Sequence, residues 1–137
     1  MSELATIPTK RTSDASIAVL RQALDAFNSG DVPAAVALIA DDVEWHEIGR
    51  TEAIVGKDAL AARYAGALPE WDITADVHDI IANDEHAIAL VTATARMGGR
   101  NFTYRTVEIY HVRDGKISAR WAFSDDTARI NAFFAGS

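Results

Sequence analysis

The sequence contains no cysteine, which excludes disulfide bonds, thiolate catalysis and zinc sites with sulfur ligands. It is also poor in basic residues: 13 Lys and Arg stand against 20 Asp and Glu, for a net charge of −7. Such a chain, without a basic stripe, is a poor binder of nucleic acid or anionic membranes. No apolar run approaches the roughly 20 residues needed to cross a bilayer, and the N terminus lacks the apolar core of a signal peptide. We therefore expect a cytoplasmic protein with no nucleic-acid or membrane partner.

Metal and triad motifs are also missing. The four histidines, at positions 46, 78, 86 and 111, do not have the spacing of metal ligands. A Ser-His-Asp triad would have no supporting nucleophile-elbow motif. We expect neither a metal nor another cofactor.

The length limits the number of domains. With 137 residues, 49 % of them hydrophobic, the chain suffices for one domain with a core and is too short for two ordinary ones. Residues 1–12 are mostly polar and contain a proline, which is typical of a flexible N-terminal tail. We expect residues 13–137 to form a single domain.

Helix signals dominate the first half of the chain. Ser13 is a suitable N-cap for a helix whose apolar stripe consists of Ile17, Leu20, Leu24 and Phe27. Gly30 ends that helix and Asp31 caps a short second one. Residues 56–68 are predicted to form a third helix, which Pro69 would end, and a short C-terminal helix is predicted to carry Ile130, Phe133 and Phe134.

Strand signals fill the remainder. The predicted strands are 41–48, 73–81, 86–97, 101–112 and 116–124. Gly98-Gly99 and Asp114-Gly115 are hairpin turns that join the last three. Helices followed by hairpin-linked strands predict an α+β fold, in which helices cover one face of an antiparallel sheet.

The two hairpin turns determine which side chains share a face of the sheet. Across the Gly98-Gly99 turn, three alanines and a valine face residues of the next strand: Ala95 faces Phe102, Ala93 faces Tyr104, Val91 faces Thr106, and Ala89 faces Glu108. The second turn pairs Val112 with Ile117 and, in a regular ladder, Tyr110 with Ala119, Glu108 with Trp121, Thr106 with Phe123, and Tyr104 with Asp125. A β-bulge in the last strand would exchange the faces of Trp121 and Arg120.

One face of this sheet has the composition of a small-molecule site. It presents large side chains with polar tips opposite the alanines: Tyr104, Glu108, Tyr110, Trp121, Phe123 and Asp125. Small residues opposite large ones leave an apolar hollow with a few polar groups, which is typical of a ligand pocket.

The other face mixes apolar and charged side chains: Ile88, Leu90, Val107, Ile109 and Ala122 with Arg96, Arg105, His111 and Arg120. This mixture is too apolar for solvent and too charged for a dry core, so it predicts a homodimer interface.

The stretch DDVEWHEIG places an acid where burial is expected. In a strand, Glu47 shares a face with Val43 and Trp45. A buried carboxylate is costly unless the face borders a cavity, where it can serve as an acid or base. The alternative is that Glu47 points to solvent or pairs with Arg50.

Three segments resemble the SnoaL-like proteins of the nuclear transport factor 2-like superfamily: FNSGDVPAAVALIADDVEWHEIG, VGKDALAARY and EIYHVRDGKISARWAFSDD. The resemblance covers nearly all of residues 13–135. It implies a cone-shaped fold, with N-terminal helices packed on a curved antiparallel sheet around a pocket, and a homodimer formed through the sheet. It implies no single activity, because the superfamily includes ketosteroid isomerase, polyketide cyclases, limonene epoxide hydrolase, scytalone dehydratase and binding proteins.

The resemblance also implies roles for individual residues. Glu47 matches the proton-shuttling carboxylate of the ketosteroid isomerases, and Glu108 matches their second acid, which stays neutral to donate to the substrate oxyanion. The isomerase tyrosine on the first helix falls near Ala23, so its substitute would be Tyr64, Tyr104 or Tyr110. Thr106 stands where limonene epoxide hydrolase has an arginine, and His46 and His111 face away from the expected pocket, unlike the histidines of scytalone dehydratase.

Each candidate also has a structural interpretation. Glu108 could be a buried acid held by a tyrosine or tryptophan donor, and Asp125 could be the N-cap of the last helix rather than a third carboxylate at the pocket. Trp45, Tyr64, Trp121 and Phe123 could be core residues instead of ligand contacts.

The residues favour cofactor-free acid/base catalysis on a small hydrophobic carbonyl substrate, by isomerisation, cyclisation or dehydration. In this hypothesis Glu47 and Glu108 are catalytic. The alternative is a non-catalytic ligand-binding or dimerisation module of the same fold.

Overall fold

The computed structural model describes residues 12–67 and 72–135, and the predicted elements follow one another in the expected order. The helices are α1 (Asp14–Ser29), α2 (Val32–Ala37), α3 (Lys57–Ala67) and α4 (Thr127–Phe134). The strands are β1 (Ile39–Trp45), β2 (Ile54–Val55), β3 (Asp72–Ala82), β4 (His86–Met97), β5 (Arg100–Arg113) and β6 (Lys116–Ser124). The expected tail, apart from residue 12, lies outside the described residues, and so do Leu68 and Pro69.

The helix ends confirm the predicted caps. The Ser13 side chain accepts a hydrogen bond from the backbone N–H of Ser16 at 3.1 Å. Gly30 ends α1 in the left-handed region, at φ 73°, where a residue without a Cβ is favoured. Asp31 caps α2, and Asp126 caps α4 in place of Asp125, the residue named above as a possible cap.

The sheet is mixed rather than purely antiparallel. Its six strands lie in the order β2-β1-β6-β5-β4-β3, and β1 runs parallel to β6 while all other neighbours are antiparallel. The prediction of an antiparallel sheet is wrong at this one pair. No hairpin links β1 to β6, so turn signals carry no information on their relative direction. The two-residue strand β2 was not predicted either.

A β-bulge at Ser118 overturns the predicted register of the last strand. Val112 pairs with Ile117 as predicted, but His111 pairs with Ala119, which leaves Ser118 as an extra residue. Every later pair is therefore displaced by one residue: Tyr110 with Arg120, Glu108 with Ala122, and Thr106 with Ser124. The β4–β5 register agrees with the prediction throughout, because the glycine turn begins a ladder without irregularity.

The helices cover the inner face of the sheet. Leu20 and Leu24 of α1 and Leu60 of α3 join the core, together with Val43 and Ile117 of the sheet. The row of alanines on β4 is buried as well, and these small side chains leave room above β5: Ala87, Ala89, Ala93 and Ala95. No helix among the described residues is long and apolar enough to cross a membrane.

The outer face of the sheet, as we call the side away from the helices, exposes apolar side chains. They include Ile81, Leu90, Val107 and Phe123, the last of which is 58 % exposed. Because of the bulge, Trp121 and Phe123 lie on this outer face, whereas Arg120 and Ala122 lie on the inner face. The expected positions of all four residues are thus corrected.

Candidate functional site

A cavity of about 490 Å³ lies between the helices and the inner face of the sheet. Its size is within the range of small-molecule sites, and apolar side chains make up most of its wall. Six of the predicted site residues line it: Trp45, Glu47, Tyr64, Tyr104, Glu108 and Tyr110.

Three predicted site residues do not line the cavity. Trp121 stacks on His46 on the outer face, with ring centroids 5.0 Å apart, and Phe123 is exposed on that face. Asp125 lies at the end of β6, where its carboxylate accepts a hydrogen bond from the backbone N–H of Arg105 at 3.2 Å. The bulge at Ser118 explains these corrections, because the prediction assumed a regular ladder.

Glu108 lies at the centre of the polar groups in the cavity, with its side chain only 10 % exposed. Thr106 and Tyr110 flank it on the same face of β5, since side chains alternate along a strand. The Thr106 hydroxyl donates to Oε2 of Glu108 at 2.9 Å, and the Tyr110 hydroxyl donates to Oε1. A nitrogen of Arg120 lies 3.6 Å from the same Oε1. Glu108 therefore accepts hydrogen bonds from Thr106 and Tyr110, and the donor role toward a ligand that the resemblance implied stays a prediction.

Arg120 is the functional candidate that the sequence reasoning missed. Its side chain is 12 % exposed, its Nη1 donates to the carbonyl oxygen of His46 at 3.1 Å, and its guanidinium lies 4.8 Å from the Trp45 ring centroid. Burial alone would lower the pKa of Arg120, but the Glu108 carboxylate and the nearby tyrosines outweigh burial and raise that pKa. Arg120 is therefore a permanent cation in the cavity wall. The sequence indicated Arg120 only through the possibility of a β-bulge in the last strand, which would turn this residue to the cavity face.

All three tyrosines of the chain line the cavity. Burial raises the pKa of each, Tyr104 to about 12, so all three are neutral phenols at neutral pH. The indole N–H of Trp45 donates to the Tyr64 hydroxyl at 3.1 Å. Since an indole can only donate, the Tyr64 oxygen is the acceptor and its own proton is left for another partner.

Glu47 lies beyond the end of β1, in the loop at the rim of the cavity. Its side chain is 20 % exposed, and its Oε1 accepts a hydrogen bond from Nε of Arg63 at 3.2 Å. The alternative in which Glu47 pairs with Arg50 is wrong, because Arg63 of α3 is its partner. Glu47 is therefore held in the cavity wall but keeps access to solvent.

The cavity combines two carboxylate–guanidinium pairs with three phenols. Within the described parts of the chain, no three His, Cys, Asp or Glu side chains are grouped so that they could hold a metal ion. The groups present can accept a proton at a carboxylate and donate hydrogen bonds to an oxygen on which negative charge develops.

Comparison with known proteins agrees with this architecture. Residues 20–120 match the model of the SnoaL-like domain family. A search of curated protein sequences gives no match.

Solved structures with the same fold have low sequence identity. An NTF2-like protein of unknown function from Burkholderia pseudomallei is 20 % identical, with a TM-score of 0.78 over 88 % of this chain and 97 % of that one. An LEH-like epoxide hydrolase from M. tuberculosis is 18 % identical, with a TM-score of 0.78 over 89 % and 91 %. A putative polyketide cyclase from Silicibacter sp. is 19 % identical, with a TM-score of 0.75 over 88 % and 96 %. At these identities the likeness establishes the fold alone.

Proposed function

The chain belongs to the SnoaL-like domain family, and we propose that it catalyses proton transfer on a small, largely apolar carbonyl compound bound in its cavity, without a cofactor. The observation that carries the proposal is the buried Glu108–Arg120 pair. Removing two charges from water is costly, and apolar residues would fill the same space without that cost. A charged pair in the wall of an apolar cavity favours a ligand on which charge develops during reaction.

The proposed reaction begins at Glu47. Its carboxylate takes a proton from a carbon next to the carbonyl group, and the electrons of the broken C–H bond move onto the carbonyl oxygen. Arg120 and the Tyr64 hydroxyl stabilise that oxygen, while Glu108 positions Arg120 and Tyr110. In a ketone with a carbon–carbon double bond one carbon further along, return of the proton from Glu47 to the far carbon of that bond completes an isomerisation. Attack of the same enolate carbon on a second carbonyl, whose oxygen takes the proton back from Glu47, gives cyclisation. Loss of a hydroxyl group from the next carbon, protonated by Glu47 so that it leaves as water, gives dehydration.

Non-catalytic ligand binding is the second candidate, and one observation favours it. Both carboxylates already have partners, since Glu47 contacts Arg63 and Glu108 accepts from Thr106 and Tyr110. A carboxylate whose oxygens already accept hydrogen bonds has fewer free lone pairs with which to take a proton from a ligand. In this case the cavity would hold its ligand unchanged.

Deuterium exchange separates the two candidates. The protein is incubated in D₂O with butyrophenone or with a cyclic ketone. NMR follows the loss of the signal from the protons on the carbon next to the carbonyl group. We expect exchange with the native protein and none with Glu47→Gln, while that variant still binds the ketone. Glu52→Gln, an exposed acid outside the cavity, is the matched control. Binding without exchange would select the non-catalytic candidate, and absence of binding would contradict both.

We also propose that the outer face pairs with a second copy of this chain. Four large apolar side chains are exposed there, two of them by more than half: Ile81, Leu90, Val107 and Phe123. A contiguous apolar surface of this kind is typical of an interface. The resemblance to sheet-paired dimers supports the same partner.

A further inference from the structure

We propose that the ligand is an amphipathic carboxylate, whose apolar body enters the cavity while its carboxylate stays at the rim beside Arg50. The inference rests on the proposed function, because it names the ligand class of the same cavity. It adds an anionic group and a residue that recognises this group.

The rim carries more positive than negative charge. Its charged side chains are Asp31, Glu47, Arg50, Lys57 and Arg63, which are three cations and two anions. The chain as a whole has a net charge of −7, so the excess positive charge at the rim is opposite in sign to the net charge of the chain. A cleft edge with a net positive charge favours anionic ligands over cationic ones.

Most of the rim charges are already engaged. The Asp31 carboxylate caps α2 by accepting from the N–H of Ala34 at 3.1 Å, and Glu47 contacts Arg63. Lys57 lies 3.9 Å from Asp41, at the outer limit of an ion pair, and such exposed pairs are weak. Arg50 has no counter-ion anywhere in the parts of the chain that the structure describes.

The loop that carries Arg50 packs closely against Asn131 of α4. The N–H of Arg50 donates to the carbonyl oxygen of Glu47 at 3.2 Å, which closes a turn at the rim. Gly49, inside this turn, has φ +75°, and a Cβ there would lie 2.6 Å from the side-chain oxygen of Asn131. The turn therefore places Arg50 and the proposed base Glu47, both of which line the cavity, in the same short segment.

The interior of the cavity gives an anion no comparable partner. Arg120 is the cation there, and Glu108 already compensates its charge at 3.6 Å. The surrounding wall is apolar and includes Leu24, Ile39 and Ile73. An anionic group is thus favoured at the rim, and an apolar body is favoured inside.

Isothermal titration calorimetry with benzoylpropionate and its neutral carboxamide tests the inference. The two ligands share the aryl ketone and differ in charge. We expect the acid to bind about tenfold more tightly, as one charge-assisted contact provides. Arg50→Gln should remove most of this preference without changing the affinity for the amide. Arg21→Gln is the matched control, since Arg21 is exposed on α1 outside the cavity and loses the same charge.

The outcomes distinguish this inference from the proposed function. Equal affinities for acid and amide, or equal effects of the two arginine variants, would overturn the carboxylate inference and leave the carbonyl pocket intact. Failure of both ligands to bind would contradict the two proposals together. Added salt should reduce the preference for the acid, because the rim is open to solvent.

Discussion

Replacement of Arg120 by methionine tests the central pair of the cavity most directly. The substitution removes the guanidinium but keeps a long, flexible side chain in the same space. Glu108, whose side chain is 10 % exposed in the native protein, then has no cation beside it. The remaining donors are the hydroxyls of Thr106 and Tyr110.

The expected loss follows from the geometry of the pair. Charges separated by 3.6 Å attract by ~5 kcal/mol at an effective dielectric constant of about 20. The contact of Arg120 with the Trp45 ring adds about 1 kcal/mol. Methionine recovers part of this sum, because it has no charge to remove from water. Breaking a buried pair from one side typically costs 3–5 kcal/mol, so we expect Arg120→Met to lower the free energy of unfolding by about 3–5 kcal/mol.

Urea unfolding followed by circular dichroism measures this loss within a double-mutant cycle. Replacing both partners, as Glu108→Leu with Arg120→Met, should restore stability to within ~1 kcal/mol of the native protein, because no isolated charge remains. Arg21→Met, an exposed control, should change stability by less than ~0.5 kcal/mol. A loss below ~1 kcal/mol for Arg120→Met, or additive losses in the cycle, would refute the reasoning.

Two further predictions concern the tyrosines and the outer face. In an alkaline absorbance titration, the folded protein should show no tyrosine ionisation near the ordinary pKa of about 10, since burial raises the pKa of all three phenols, that of Tyr104 to about 12. Because the folded protein favours the neutral phenol, the stability that these groups contribute is complete below pH ~10 and declines as the pH rises further. A tyrosine that titrates normally in the folded protein would contradict the burial of all three side chains. On the outer face, Phe123→Asp should convert a dimer into a monomer, as measured by light scattering after size-exclusion chromatography. The control Ala18→Asp, at an exposed position of α1, should leave the dimer intact. A monomeric native protein would refute the proposed interface.

Local signals in the sequence were sufficient for most of the fold. Gly98 and Gly99 place the β4–β5 turn, and every predicted pair of that hairpin is present. The caps at Ser13 and Asp31 are equally local, since each side chain satisfies an N–H within its own helix. These features depend on residues a few positions apart, so one sequence suffices to predict them.

The features that the sequence did not predict depend on distant contacts. Ser118 resembles an ordinary strand residue, and the bulge there is visible only in how β6 aligns with β5. Glu47 was expected within a strand, but β1 ends at Trp45, and Arg63 of α3 supplies its partner. The Glu108–Arg120 pair follows from the bulge and could not be predicted before it.

The bulge makes the register of one strand a determinant of the chemistry in the cavity. If Ser118 instead paired with His111 in a regular ladder, β6 would direct Trp121 and Phe123 inward and Arg120 outward, leaving Glu108 beside an indole instead of a guanidinium. A register shift of one residue would thus replace a charged wall by an aromatic one without any substitution. Proteins of this fold can therefore diverge in what their cavities accept through the presence or absence of one bulge, a change that comparison by percentage identity hardly registers.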